Sequence, residues 1–239
     1  MTPTVPSDDG EPGGRRIVLR LDRAQVRGHV VDANDGIIAT AGVVEGLLGA
    51  GAAGSTVVLG SLAAMVGGAI ALGGMKYSEA ADERDARSAT IEAERHQLDS
   101  APEEELAELT GIYEAKGLSP DLARAVAEQL SEHDALAAHA EMEHGIDVGG
   151  RDLTPLFTAT LAGVAFVIGS AVPLLMILVA PAGVRIPATF VAVVLALGIT
   201  ATIVATLGGA RMWRTIVRTV SLGLVTMLLT LVGGTLIGL

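Results

Sequence analysis

Between residues 94 and 143 the chain carries acids and imidazoles whose types and spacing could hold a cation. Glu105 and Glu108 are three residues apart and His139 and Glu143 four apart, so each pair shares a helix face. Glu94 and His96 lie upstream on one polar stretch. Carboxylate and imidazole together suit divalent iron, manganese or zinc better than copper(I). With no cysteine in the chain, any metal must be held by oxygen, imidazole or thioether groups. A competing reading treats these glutamates as ordinary solvated helix faces.

A second set of acids sits in apolar surroundings. The stretch "VVDANDGIIATAGVVEGLLGAG", residues 30–51, contains Asp32, Asp35 and Glu45. Acids within a bilayer cost a few kcal/mol or more and mark ion or proton pathways. Asp35 shares a helix face with Gly42, and Glu45 lies about a quarter turn from that stripe and roughly 15 Å deeper. Two acids at two depths would serve a cation as stepping stones, trading protons for metal. Asp32 falls at headgroup depth and reads as structural, and Asp35 has a second reading as the cap of a helix starting at Gly36. Apart from Arg218 at the edge of the last span, no apolar run holds a basic residue with which Glu45 could pair.

These groups must be positioned by membrane helices. Half of the 239 residues are hydrophobic, concentrated in runs near the roughly 20 residues that cross a bilayer. Five spans are predicted, at about 33–52, 55–75, 155–180, 187–208 and 217–238. They divide the chain into an N-terminal disordered arm (1–27), spans one and two (28–75), an acidic insert (76–152) and spans three to five (153–239). The fold class is therefore an all-α membrane protein with a small helical bundle inserted between spans two and three. The insert holds 20 acidic and 7 basic residues, a net of −13, so the acidity behind the chain's formal −11 belongs to it. That excludes nucleic acid as its partner and favours cations. The arm lacks the apolar core of a cleavable signal.

Fifteen of the sixteen basic residues fall on one side of this topology, leaving only Arg185 on the other. The positive-inside rule then places the N-terminus and the insert in the cytoplasm and the C-terminus outside. Within the insert, Leu106, Leu109, Ile112 and Tyr113 have helical spacing, Gly117 ends that helix, and Ser119-Pro120 starts the next. In spans one and two, Gly42, Gly46, Ala50 and Gly54, and then Gly60, Ala64 and Gly68, recur every fourth residue and allow close helix approach. The first ridge also predicts a symmetric homodimer with span one near its axis.

"ANDGIIATAGVVEG" in span one and "ELAELTGIYEAKGLSPDLARAVAEQLSEHDAL" in the insert resemble the vacuolar iron transporter (VIT) family, and the similarity extends over residues 28–239. The resemblance implies a homodimeric, proton-coupled transporter of Fe²⁺ or Mn²⁺, with metal gathered by the cytoplasmic glutamates and crossing between two first helices. It implies a pathway role for Asp35 and ligand roles for Glu94, Glu105, Glu108 and Glu143. The chain departs from the family pattern at Lys76, Leu72 and Gln97, where glutamate, methionine and glutamate are usual. Glu45 and Glu79 are acids of its own.

The expected function is thus a proton-coupled antiporter moving divalent metal out of the cytoplasm, with no permanently bound cofactor. Its pathway residues would be Asp35, Glu45 and Glu79, and its metal ligands Glu94, Glu105, Glu108, His139 and Glu143. Fe²⁺ and Mn²⁺ are the expected cargo, with Zn²⁺ and Co²⁺ admitted by the same ligands. A bacterial cell membrane is favoured by the arginine bias and compactness, with a vacuolar membrane as the alternative. Two other classes compete: a non-transporting membrane metal sensor, and a di-iron oxidase built on the Glu-x-x-His unit of Glu141 and His144.

Overall fold

The computed structural model describes residues 22–150 and 153–238, and among them the regular structure is entirely helical. Seven α-helices follow in order: α1 (Arg23–Gly49), α2 (Gly54–Ser100), α3 (Pro102–Ala115), α4 (Pro120–His144), α5 (Pro155–Val179), α6 (Arg185–Gly208) and α7 (Met212–Ile237). Most of the predicted N-terminal arm lies outside the described residues. Its last part does not match the expectation, because helix begins at Arg23 rather than after residue 27. The reason is a capping box: Asp22 accepts from the Arg23 N–H, and the Gln25 side chain accepts from the Asp22 N–H.

Among the described residues four helices are long and apolar enough to cross a membrane: α2, α5, α6 with the short turn before it, and α7. Their large apolar side chains, such as Ile168, Leu195 and Leu229, face outward. α1 is not among the four, because Asp32, Asn34, Asp35 and Glu45 dilute its apolar character. It is instead the helix at the centre, packed against α2, α5, α6 and α7. Its polar groups find partners there: Thr200 donates to the Asn34 side-chain oxygen at 2.5 Å, and Ser170 to the Gly36 carbonyl at 3.2 Å.

Backbone approaches backbone where these helices cross. A Cβ on Gly169 of α5 would sit 1.9 Å from the Ala33 carbonyl oxygen, and one on Gly234 of α7 would sit 2.0 Å from that of Gly46. The second contact shows what the small-residue ridge of α1 packs against in this chain. The ridge of Gly42, Gly46 and Ala50 is covered by Thr226, Thr230 and Gly234 of α7 and by Gly238 just past its end, in the same chain. It serves packing within the protomer.

At 47 residues, α2 is roughly 70 Å long, about twice the hydrocarbon thickness. Its distal half is polar and carries α3 and α4. Glu103, Glu104 and Glu105 fill the first turn of α3, where carboxylates complement the helix dipole. α3 stops before Gly117, whose φ of +101° suits a residue without a side chain. Ser119 occupies the cap position of α4, but its side chain makes no capping bond. α4 breaks at Asp134 (φ −160°, ψ 92°), whose carboxylate accepts from the Ala137 N–H at 2.9 Å and starts the helix afresh.

Candidate metal centre

The restarted half of α4 carries His139 and Glu143 one turn apart, and aims them at α2 and α3. His139 is completely buried, Glu94 of α2 is 2% exposed and Glu105 of α3 is 5% exposed. The His139 Nδ1 lies 2.8 Å from Glu143 Oε1, 3.3 Å from Glu94 Oε1 and 3.6 Å from Glu105 Oε2. One ligand atom from each of these four residues lies within 4.8 Å of all the others. His144 adds a fifth group, its Nε2 standing 3.5 Å from Glu94 Oε2.

As a closed protein core this arrangement is poor. One imidazole N–H donates a single proton, and Glu94 Oε1 and Glu105 Oε2 are left buried with no hydrogen-bond partner. Burial pushes the Glu105 carboxyl above its ordinary range, and repulsion from Glu94 adds to it, while His139 partly offsets them. Three carboxylates converging on one point lack positive charge, and a divalent cation would supply it. Oxygen and imidazole donors at this spacing match a first-row metal.

A sequence model of the VIT family matches residues 26–235. The chain belongs to the VIT family. Among its relatives are "Vacuolar iron transporter" of Acanthamoeba castellanii, 34% identical over 154 residues, which cover 63% of this chain and 54% of that protein. "Vacuolar iron transporter 2" of Oryza sativa subsp. japonica is 30% identical over 174 residues, covering 72% of this chain and 70% of that one. "Vacuolar iron transporter 1" of Arabidopsis thaliana is 27% identical over 157 residues, covering 65% and 63%. The match thus spans only about half the length of the Acanthamoeba relative.

In this VIT-family chain four of the five predicted ligands come together and one does not. Glu108 is exposed on α3, outside the cluster, although its charge is felt at Glu105. His96 and Gln97 are also exposed. The residue missed as a ligand candidate is His144, which sequence had paired with Glu141 in the Glu-x-x-His unit. Glu141 is exposed and outside the cluster, so that unit is not assembled as a pair of ligands. No local spacing signals it: His144 is rotated about 100° from Glu143 on the helix and meets Glu94 only through the packing of α4 on α2.

The acids of α1 separate. Asp35 lies mid-helix, so it is not a cap, and it is exposed on an outward stripe with Gly28, Val31 and Ala39. Glu45 is completely buried, and neither carboxylate oxygen has a hydrogen-bond partner. The two acids therefore do not line one face of the protomer. The quarter-turn offset is enough to swing Glu45 from the exposed stripe into the interior. Asp32 is buried beside His29, at 3.4 Å. A cavity of about 580 Å³ opens there, lined among others by His29, Asp32, Lys76, Glu83 and Arg84. Glu79 is exposed and ion-paired with Lys76 at 2.8 Å.

Proposed function

We propose that this chain is a divalent-metal antiporter, moving Fe²⁺ and/or Mn²⁺ out of the cytoplasm in exchange for protons. The observation that carries the reading is the buried set of Glu94, Glu105, His139 and Glu143, with two carboxylate oxygens left unpartnered. The relatives are named as iron transporters, which supports iron as cargo and transport as the activity. Zn²⁺ and Co²⁺ are chemically acceptable to the same donors. No resident cofactor is required.

In this reading α1 is a fifth span, and residues 76–152 form a cytoplasmic domain that gathers metal beneath the membrane. The N-terminal arm is also cytoplasmic and the C-terminus is outside. The membrane is a bacterial cell membrane, with the vacuolar membrane of the named relatives as the alternative. A second copy of the chain covers the outward stripe of α1, so that the cation passes Asp35 between two protomers. Glu45 serves as the proton-carrying acid inside each protomer, because a buried carboxylate without donors must hold a proton or a cation. Glu79 and Lys76 flank the cytoplasmic mouth.

The test is flux of Fe²⁺, Mn²⁺, Zn²⁺ and Co²⁺ into proteoliposomes holding the full chain, with and without an imposed pH gradient. Gradient-driven uptake is the expected result. Saturable metal binding with no flux would overturn transport and support a membrane metal sensor.

A further inference from the structure

Arg211, Arg214 and Arg218 line one concavity of about 440 Å³ together with Ala210 and Thr215. They lie at the cap position and along the first two turns of α7, on the i, i+3, i+7 spacing of a single face. None of the three guanidinium groups has an ion pair or hydrogen bond among the described residues. This is not a matter of geometry alone, because residues 153–239 contain no Asp or Glu. By contrast Arg27, reaching the Gly208 end of α6, lies beside helix-terminal carbonyls that favour a cation.

Cations in the first turn of a helix oppose its dipole, and the start of α7 has neither an acidic residue nor a side-chain cap to offset them. Among the described residues the patch thus lacks a negative partner. Its depth identifies the source of one. Beyond Arg218, α7 turns a column of apolar side chains outward: Leu222, Val225, Leu229, Val232 and Leu236. Trp213, beside the arginines, is 74% exposed, as befits a ring at the membrane–water boundary. The arginines therefore lie at the polar end of a lipid-facing surface.

We propose that Arg211, Arg214 and Arg218 form a binding site for the phosphate of an anionic phospholipid headgroup. Guanidinium groups bind phosphate by paired N–H donors, and three on one face give a chelating site rather than a diffuse attraction. Lipid bound here would pin the start of α7 and the turn joining it to α6. The inference does not depend on what the protein carries.

Trp213 is the only tryptophan in the chain and reports on this spot directly. The full-length protein is placed in bilayers containing a low fraction of lipid with brominated acyl chains, which quench tryptophan on contact. Brominated phosphatidylglycerol should quench Trp213 far more than brominated phosphatidylcholine at equal fraction. Each basic residue near an anionic surface strengthens binding by roughly fivefold, so three set an upper bound of about 100-fold and a preference of tenfold is expected. The triple variant R211Q/R214Q/R218Q should lose that preference. The variant R95Q/K116Q/R124Q, with the same charge removed from the acidic insert, should keep it.

Equal quenching by the two lipids in the unmodified protein overturns the proposal, and needs no variant to fold. So does an equal loss in the control variant, which would reduce the effect to overall charge. Excess inorganic phosphate should leave the preference intact. If it abolishes the preference, the site takes free phosphate and the lipid assignment is wrong.

Discussion

If the cluster exists to hold a cation, removing one of its acids should stabilise the empty protein while destroying its response to metal. Glu105→Gln is the sharpest form of this test. In the empty protein Glu105 Oε2 is buried without a partner, and its carboxyl faces Glu94 and Glu143. An unsatisfied buried group costs about 1–3 kcal/mol, more when charged, so the isosteric amide should raise stability by about that much. Metal does the opposite. At 100 times its dissociation constant, a ligand stabilises the folded state by about 2.7 kcal/mol. Loss of even an outer-shell partner weakens metal binding 10–100-fold. A 100-fold loss would cut the gain at the same concentration to about 0.4 kcal/mol. Hydrogen exchange of α3 and the second half of α4, read with chelator and with Mn²⁺, separates the two effects. The reasoning fails if Glu105→Gln loosens the chelated protein while leaving its metal protection unchanged, because Glu105 would then be a structural group. The pH dependence has a definite sign. Since burial raises the Glu105 carboxyl, its contribution to stability is full below the unfolded value and is lost as pH rises through the folded one. Acidification from neutral pH should therefore protect this part of the empty insert and weaken its hold on metal.

The remaining tests address the membrane half and the frame of the centre. Glu45→Gln should cut metal flux in proteoliposomes at least tenfold and flatten its dependence on the pH gradient, with metal binding to the insert unchanged. Lys76→Gln removes a cation from the cavity shared with Asp32, and initial-rate measurements should show the KM for metal falling several-fold with little change in maximal rate. Gly169→Ala places a methyl group 1.9 Å from the Ala33 carbonyl oxygen. Overpacking of that kind costs about 1–3 kcal/mol, so thermal unfolding in detergent should shift down by several degrees. Asp134→Ala deletes the cap that restarts α4, and should cost about 1 kcal/mol of local stability by hydrogen exchange of residues 135–144.

How far the sequence carried these conclusions depends on whether a feature is periodic along one helix or set by neighbours. Glu105 is a periodic case. It stands at i to Leu109 at i+4 and Ile112 at i+7, so it shares the buried stripe of α3, whereas Glu108 is rotated off it. Treating the two glutamates as an equivalent pair overlooked that rotation. His144 was hidden for the opposite reason, since its nearness to Glu94 is a contact between α4 and α2 that no local spacing encodes. Membership of the VIT family was legible because the motif residues are contiguous. The sides of α1 were not. A helix of mixed polarity tells which residues share a stripe, but not which stripe its neighbours cover. Here α2, α5, α6 and α7 enclose Glu45 and leave Asp35 exposed. The same enclosure explains why α1 falls short of a membrane helix by composition. Its Asn34 is satisfied by Thr200 rather than by water, so a helix at the centre of a bundle need not be as apolar as those that meet lipid. Glu45 is then the exception that bears on function: of α1's buried acids, Asp32 has His29 beside it, whereas Glu45 has no partner within the described protein. A charged carboxylate so placed costs stability, which is why the proposed role for Glu45 is the proton-carrying one.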